Sequence, residues 1–188
     1  RFKDAGNHNY TKSPPSWDTD GTQTAVVNFT RSDYNIVKHN VINDSTNDIA
    51  QFTSMAGSGF WFQDSTGNTL DNNTIHWIHV YSIMFYNTNY SVVYNTDMKG
   101  VGGDGIKIIS NYSGYNNITN FTGDIAEFCI FLSGGRGNNR VLNLNCNAAT
   151  EITGAGVRIL AAGWGTENGS YLENLTINNS ENGIFYSG

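Results

Sequence analysis

The chain has 188 residues, a net charge of −6 and only 14% charged side chains. Its 27 Asn and 21 Gly stand beside ten Tyr, ten Phe and four Trp, and this much bulky apolar surface argues against general disorder. Ten Lys and Arg in an acidic chain argue against a nucleic-acid partner, and no apolar run is long enough for insertion into a membrane.

Residues 1–33 are predicted to form an irregular N-terminal segment or an additional coil, with Pro14-Pro15 followed by the strand-like run Thr24-Ala25-Val26-Val27. From residue 34 to 188 the chain reads as one repetitive domain, in which six short runs recur at spacings of 23, 23, 24, 27 and 27 residues. They are Phe60-Trp61-Phe62, Ile83-Met84-Phe85, Ile106-Lys107-Ile108, Ile130-Phe131-Leu132, Val157-Arg158-Ile159 and Ile184-Phe185-Tyr186. The first and third residues of every run are apolar, so each predicts a strand with these two side chains inward.

A second repeated element has the pattern apolar-x-Asn-x-x-apolar and precedes most of these strands. The patterned Asn is Asn72, Asn95, Asn143 and Asn174; His39 takes its place in an early copy, and in one copy either Asn117 or Asn120 holds it. Asn tolerates left-handed backbone angles, and its amide can hydrogen-bond to the equivalent amide of a stacked neighbour. We therefore expect an asparagine ladder along one turn.

Two short strands and no helix in a period of this length indicate a β-solenoid. Stacking of coils about 4.8 Å apart turns each inward position into a continuous apolar file and pairs every strand with its neighbours. The apolar-x-Asn-x-x-apolar element followed by Gly-apolar-x-apolar, over residues 34–188, resembles the parallel β-helix repeat of the pectin-lyase-like superfamily. The resemblance implies an all-β, single-stranded right-handed parallel β-helix of about six coils of roughly 22–32 residues.

The chain contains eleven Asn-x-Ser/Thr sequons, more than twice the number expected by chance from its composition. Their excess predicts a glycosylated protein of the cell exterior, although the same tripeptide is also what a turn entering a β-helix strand would look like. The predicted glycosylation sites are Asn9, Asn28, Asn43, Asn72, Asn89, Asn111, Asn117, Asn120, Asn168, Asn174 and Asn178.

The two cysteines are predicted to be separate thiols rather than a disulfide. Cys129 precedes its strand at a position interpreted as outward, whereas Cys146 falls in the inward file of Ile75, Met98 and Ile177. Stacking brings like positions together, and these two positions are unlike. Neither cysteine has metal-ligand spacing, and His76 and His79 are interpreted as turn histidines, so no metal site is predicted.

The middle residue of each repeated strand is predicted to point outward, which places Trp61, Met84, Lys107, Phe131, Arg158 and Phe185 in one column. Ordinary packing under long turns or against another subunit is the favoured interpretation of this apolar stripe. The alternative is a carbohydrate-binding groove formed by Trp61, Lys107, Phe131, Arg158 and Phe185, in which aromatic faces stack on sugars and the two cations meet their carboxylates or hydroxyls.

The predicted function is that of a structural or adhesive module, extracellular and glycosylated, on a cell surface or virion. Its expected partners are further coils of a longer parent protein or copies of itself stacked end to end into a filament. The alternative is a carbohydrate-binding module or an enzyme acting on an acidic polysaccharide. An enzyme of this kind, a lyase or glycoside hydrolase, would use Asp104, Glu127, Lys107 and Arg158, with Ca²⁺ as the cofactor of a lyase.

Overall fold

A computed structural model describes residues 25–43, 58–78, 80–110, 112–134, 136–148, 155–160 and 169–187. Several predicted features lie outside these residues: Pro14-Pro15, Thr24, His79 and the sequons at Asn9, Asn111 and Asn168. The described part is all-β, and its strands pair in parallel. It contains no helix of the length and apolarity that crossing a bilayer requires.

The strands belong to two parallel sheets, between which the chain alternates. The first sheet has seven strands, which are β1 (Ala25–Thr30), β4 (Ser58–Gln63), β7 (Tyr81–Tyr86), β9 (Asp104–Ser110), β11 (Phe128–Gly134), β13 (Ala155–Leu160) and β15 (Asn182–Ser187). The second contains β2 (Ile36–Lys38), β3 (Val41–Asn43), β5 (Thr69–Asp71), β6 (Thr74–His76), β8 (Val92–Val101), β10 (Asn117–Ile125), β12 (Arg140–Ala148) and β14 (Tyr171–Asn178). In both sheets, strands that are neighbours in space come from successive repeats.

The register confirms the predicted interior file of the first sheet. Equivalent residues are direct strand partners in the order Val27, Phe60, Ile83, Ile106, Ile130, Val157 and Ile184. From Phe60 to Val157 every member is fully buried, as is the third-position file at Phe62, Phe85, Ile108 and Leu132. The facing sheet contributes Leu70, Val93, Ile118 and Val141 to the same core. Parallel stacking therefore creates a continuous buried core, whose residues extend along the chain from Val37 to Val157.

The predicted asparagine ladder is present on the turn within the second sheet. Asn120, Asn143 and Asn174 each donate an Nδ2 hydrogen bond to the preceding ladder residue, at 3.0, 2.9 and 2.7 Å, and Asn72 contacts Nδ1 of His39 at 3.0 Å. The ladder residues have φ angles of +51° to +57°, the left-handed region that Asn tolerates. Asn120, and not Asn117, therefore holds the ladder position in the ambiguous copy.

The prediction of two free thiols was wrong, because Cys129 and Cys146 form a disulfide with a Cα–Cα distance of 6.3 Å. The error lies in the orientation of Cys129, which is fully buried. Its equivalent in the next repeat is Gly156, where an added Cβ would lie 2.4 Å from Ile177, and Ile177 is the strand partner of Cys146. The residue before the repeated three-residue run, which is Cys129 in β11 and Gly156 in β13, thus points inward toward the facing sheet. The two cysteines occupy a contact that glycine and isoleucine make one repeat later.

Candidate functional site

The outward face of the first sheet brings the predicted site residues into one register. Trp61, Met84, Lys107, Phe131, Arg158 and Phe185 are successive strand partners, as the outward column requires. Their exposure changes along the sheet: Trp61 and Met84 are 6% and 2% exposed, whereas Phe185 is 40% exposed. The early part of the column is therefore packed, and only its later part is accessible to a ligand.

A buried polar cluster lies at the boundary between the packed and accessible parts. Nζ of Lys107 donates a 3.0 Å hydrogen bond to the Tyr81 hydroxyl and lies 3.5 Å from Oδ2 of Asp104. The aromatic rings of Tyr81 and Phe131 approach the same ammonium, with centroids at 4.4 and 5.0 Å. Lys107 is thus held by one carboxylate, one hydroxyl and two ring faces, an environment that stabilises a cation.

Burial dominates the titration of this cluster. Asp104 is 2% exposed, and burial raises the pKa of its carboxyl to about 7, against the lowering effect of Lys107 and with a further increase from Glu127. Burial alone would lower the pKa of the Lys107 ammonium, but the charge of Asp104 and the Tyr81 hydroxyl outweigh it and the pKa is raised. Burial also raises the pKa of Tyr81.

The arrangement differs from an open pair of catalytic carboxylates. Asp104 is buried, and its Oδ2 forms the ion pair with Lys107. Its Oδ1 is buried and has no hydrogen-bond partner among the described residues. Glu127 lies close enough to raise the pKa of Asp104 and retains intermediate exposure. Three of the four predicted catalytic residues, Asp104, Glu127 and Lys107, therefore form one cluster. Burial keeps the carboxyl of Asp104 from direct contact with a polymer on the surface.

The fourth residue, Arg158, belongs to a neighbouring aromatic cluster. Its guanidinium lies 4.9 Å from the ring centroid of Phe128, 5.3 Å from that of Phe131 and 5.8 Å from that of Phe185. Among the described residues no ion pair involves Arg158, and its Nε is buried without a hydrogen-bond partner. A cation that is stacked between rings and forms no ion pair with a described residue has donors for an external acceptor.

The described residues contain no group of three or more His, Cys, Asp and Glu side chains placed to hold a metal ion. His76, interpreted from the sequence as a turn histidine, is instead the last residue of β6. It contacts Asp97, with 3.3 Å between Nε2 and Oδ2, and Lys99 approaches the same carboxylate at 3.7 Å. Tyr81 and Phe128 were absent from the predicted site. Tyr81 precedes Ser82 and Phe128 precedes Cys129, just as Asp104 precedes Gly105. This shared position in the repeat is the signal that could have identified them.

Comparison with known proteins adds no assignment to this geometry. No family model, curated protein or solved structure matches the chain.

Proposed function

We propose that the chain is a right-handed parallel β-helix of the pectin-lyase-like type, serving outside the cell as a structural or adhesive module of a cell surface or virion. The observation that carries this proposal is the repeat-by-repeat register of two parallel sheets around one apolar core. A scaffold of this kind presents long regular surfaces. The enclosed Asp104 favours a non-enzymatic role, because a carboxyl paired with Lys107 is poorly placed to reach a substrate.

The disulfide supports the proposed location. Cys129 and Cys146 are both fully buried and bonded to each other. Structural disulfides persist in oxidising compartments and are rare in the cytosol of most organisms. The sequon excess favours the same location.

Glycosylation is expected at exposed sequons outside the asparagine ladder. In the ladder, the Nδ2 atoms of Asn120 and Asn174 donate to the preceding amide, and a glycan on either nitrogen would add bulk where two side chains meet. Asn28 and Asn178 are exposed on strands and lie outside the ladder. We therefore expect glycans on Asn28 and Asn178 in preference to the ladder sequons.

Assembly by end-to-end stacking of identical copies fits the uneven burial of the core. Ile184 is 53% exposed, although its equivalents Val157 and Ile130 are fully buried. β15 is the last strand of its sheet and β1 is the first; Val27 and Phe29 of β1 continue the same two inward files. A second copy that placed β1 beside β15 would extend the files and pair the edge of β15 that no described strand covers, giving a heterologous contact that propagates into a filament; further coils of a longer parent protein would cover the same edge.

Assembly is tested by light scattering on size-exclusion fractions over a range of concentrations, and by electron microscopy. We expect oligomers that grow with concentration. Ile184→Asp should abolish them, while Tyr112→Asp, at a 59% exposed position away from β15, should leave them intact. A strictly monomeric wild-type protein at high concentration would refute assembly, and an intact mass without glycans from a secreting eukaryotic host would remove the sequon argument.

A carbohydrate-binding role is the second candidate, favoured by Arg158. Its guanidinium lies against three rings, has no ion pair among the described residues, and borders the accessible part of the outward face. Arg forms paired hydrogen bonds with carboxylates, so this position suits the uronate of an acidic polysaccharide. Titration with trigalacturonate tests it: binding should be lost in Arg158→Gln and retained in Lys38→Gln, which removes an exposed cation on β2 of the other sheet.

A further inference from the structure

Three exposed tyrosines occupy one register position at a turn between the two sheets. Tyr34, Tyr90 and Tyr115, called here the tyrosine ledge, are 75%, 58% and 44% exposed. Each donates its backbone N–H in the same way, to a carbonyl in the next repeat: Thr66, Gly114 and Gly137 respectively. The rings of Tyr90 and Tyr115 are stacked, with centroids 5.1 Å apart and an interplanar angle of 15°.

The backbone at this position does not favour tyrosine. Tyr34, Tyr90 and Tyr115 have φ angles of +57°, +53° and +58°, a left-handed conformation that is unfavourable for a bulky L residue. In the other repeats the same position and the same kind of φ belong to Gly67, Asn138 and Gly169, residue types that adopt it readily. Rings that are strained in the backbone and exposed to water need a reason other than local folding.

A polar cleft borders the tyrosine ledge. Asp33, Thr66 and Asn89 each directly precede a ledge-register residue. The rest of the lining consists of Asp64, Ser65, Asn87, Tyr112 and Arg136. The cleft offers both kinds of hydrogen-bonding group, with carboxylate and amide acceptors beside guanidinium and amide donors. Oδ1 of Asn89 is buried without a hydrogen-bond partner in the described part of the chain, so at least one acceptor is unsatisfied.

We propose that the tyrosine ledge and its cleft bind a neutral oligosaccharide. A sugar ring has an apolar C–H face that packs on an aromatic ring, and hydroxyl edges that both donate and accept hydrogen bonds, and this combination matches the two adjacent surfaces. Asp33 and Asp64 disfavour an anionic ligand, and Arg136 disfavours a simple cation. This site is separate from the outward face that contains Arg158, and it stands whether or not copies of the chain assemble.

The test uses full-length protein with the disulfide formed and without N-glycans, so that Asn89 carries no sugar. The probes are cellohexaose, chitohexaose and mannohexaose, measured by saturation-transfer NMR and by titration calorimetry. We expect at least one to bind. Tyr90→Asn should weaken it about tenfold, which is the loss of one aromatic contact of roughly 1–1.5 kcal/mol. Asn suits the left-handed backbone, so this variant removes the ring without adding strain.

Two controls distinguish binding at the tyrosine ledge from binding on the outward face and from a loss of folding. Arg158→Gln should leave binding of the neutral probe unchanged, and the thermal midpoint of Tyr90→Asn should not fall below that of the wild type. Saturation transfer should place the tyrosine ring protons against the sugar C–H face. The proposal is overturned if no probe binds, if Tyr90→Asn and Tyr115→Asn bind as the wild type does, or if Arg158→Gln abolishes binding of the neutral probe.

Discussion

Replacing Asp104 by Asn should change how the stability of the protein depends on pH. The carboxyl has a pKa of about 7 in the folded protein and an ordinary value of 3.8. Between these values the folded state keeps a proton that the unfolded state has lost, so the wild type is destabilised as pH rises through this window. A difference of roughly three pKa units corresponds to a loss of about 4 kcal/mol in unfolding free energy, which occurs between about pH 4 and pH 7.

Urea unfolding at half-unit intervals from pH 4 to 8 measures this effect as the difference in unfolding free energy between wild type and Asp104→Asn. We expect the wild type to lose about 4 kcal/mol of unfolding free energy relative to Asp104→Asn as the pH rises across the window, and the difference to level off above pH 7.5. The raised pKa values of Lys107 and Tyr81 concern groups that titrate in the alkaline range, outside the window. Parallel profiles for the two proteins would refute the account of Asp104 as a buried carboxyl.

Lys107→Met serves as the matched control. The ammonium lowers the pKa of Asp104, and its removal should raise that pKa further and extend the pH-dependent loss of stability above pH 7. An unchanged profile in this variant would show that Lys107 does not act on the carboxyl.

The remaining predictions concern the core. Ile106→Ala should cost about 2–5 kcal/mol of unfolding free energy, because Ile106 is fully buried. Ile184→Ala, in the same file but half exposed, should cost well under half as much. Equal losses in chemical denaturation would contradict the difference in burial. Replacing both Cys129 and Cys146 by Ala removes a disulfide with a sequence separation of 17 residues, and should lower the unfolding free energy by about 3 kcal/mol. The double variant Cys129→Gly, Cys146→Ile should recover part of this loss, because it copies the glycine–isoleucine contact of the next repeat. Equal thermal midpoints for the two double variants would argue against that equivalence.

The repeated pattern was sufficient to predict the interior file, the outward column and the ladder, because all three follow from spacing alone. Ile106 and Ile130 are partners because equivalent residues stack, and Asn120 takes a left-handed conformation because the turn recurs in every repeat. Burial of the outward column could not be predicted in the same way. Trp61 and Met84 share a register with Phe185, yet their exposures differ widely, and spacing carries no information about what lies over a face.

The tyrosine ledge could not be predicted from the repeats for a related reason. Tyr34, Tyr90 and Tyr115 lie between the two repeated elements, in turns where apolar periodicity gives no signal. The backbone hydrogen bonds and the φ angles show that the three residues share one position with Gly67 and Asn138. Aromatic residues aligned with glycine and asparagine in the turns are the signal that could have detected it.

One local departure from strand alternation accounts for the wrong orientation predicted for Cys129 in the first sheet. The residue before each repeated strand points inward, as does the first residue of the strand: an added Cβ on Gly105 would lie 3.1 Å from Phe121, and Ile106 is fully buried. Two successive inward residues, at positions 105 and 106, shift the inward–outward alternation of the strand by one residue. Asp104 and Lys107, three residues apart, therefore lie on the same outward face and form their ion pair. The same shift turns Cys129 inward toward Cys146. Glycine occupies this position at Gly59, Gly105 and Gly156, where an added Cβ would lie close to a side chain of the facing sheet. A cysteine fits at the same position in β11 because its disulfide partner belongs to the facing sheet.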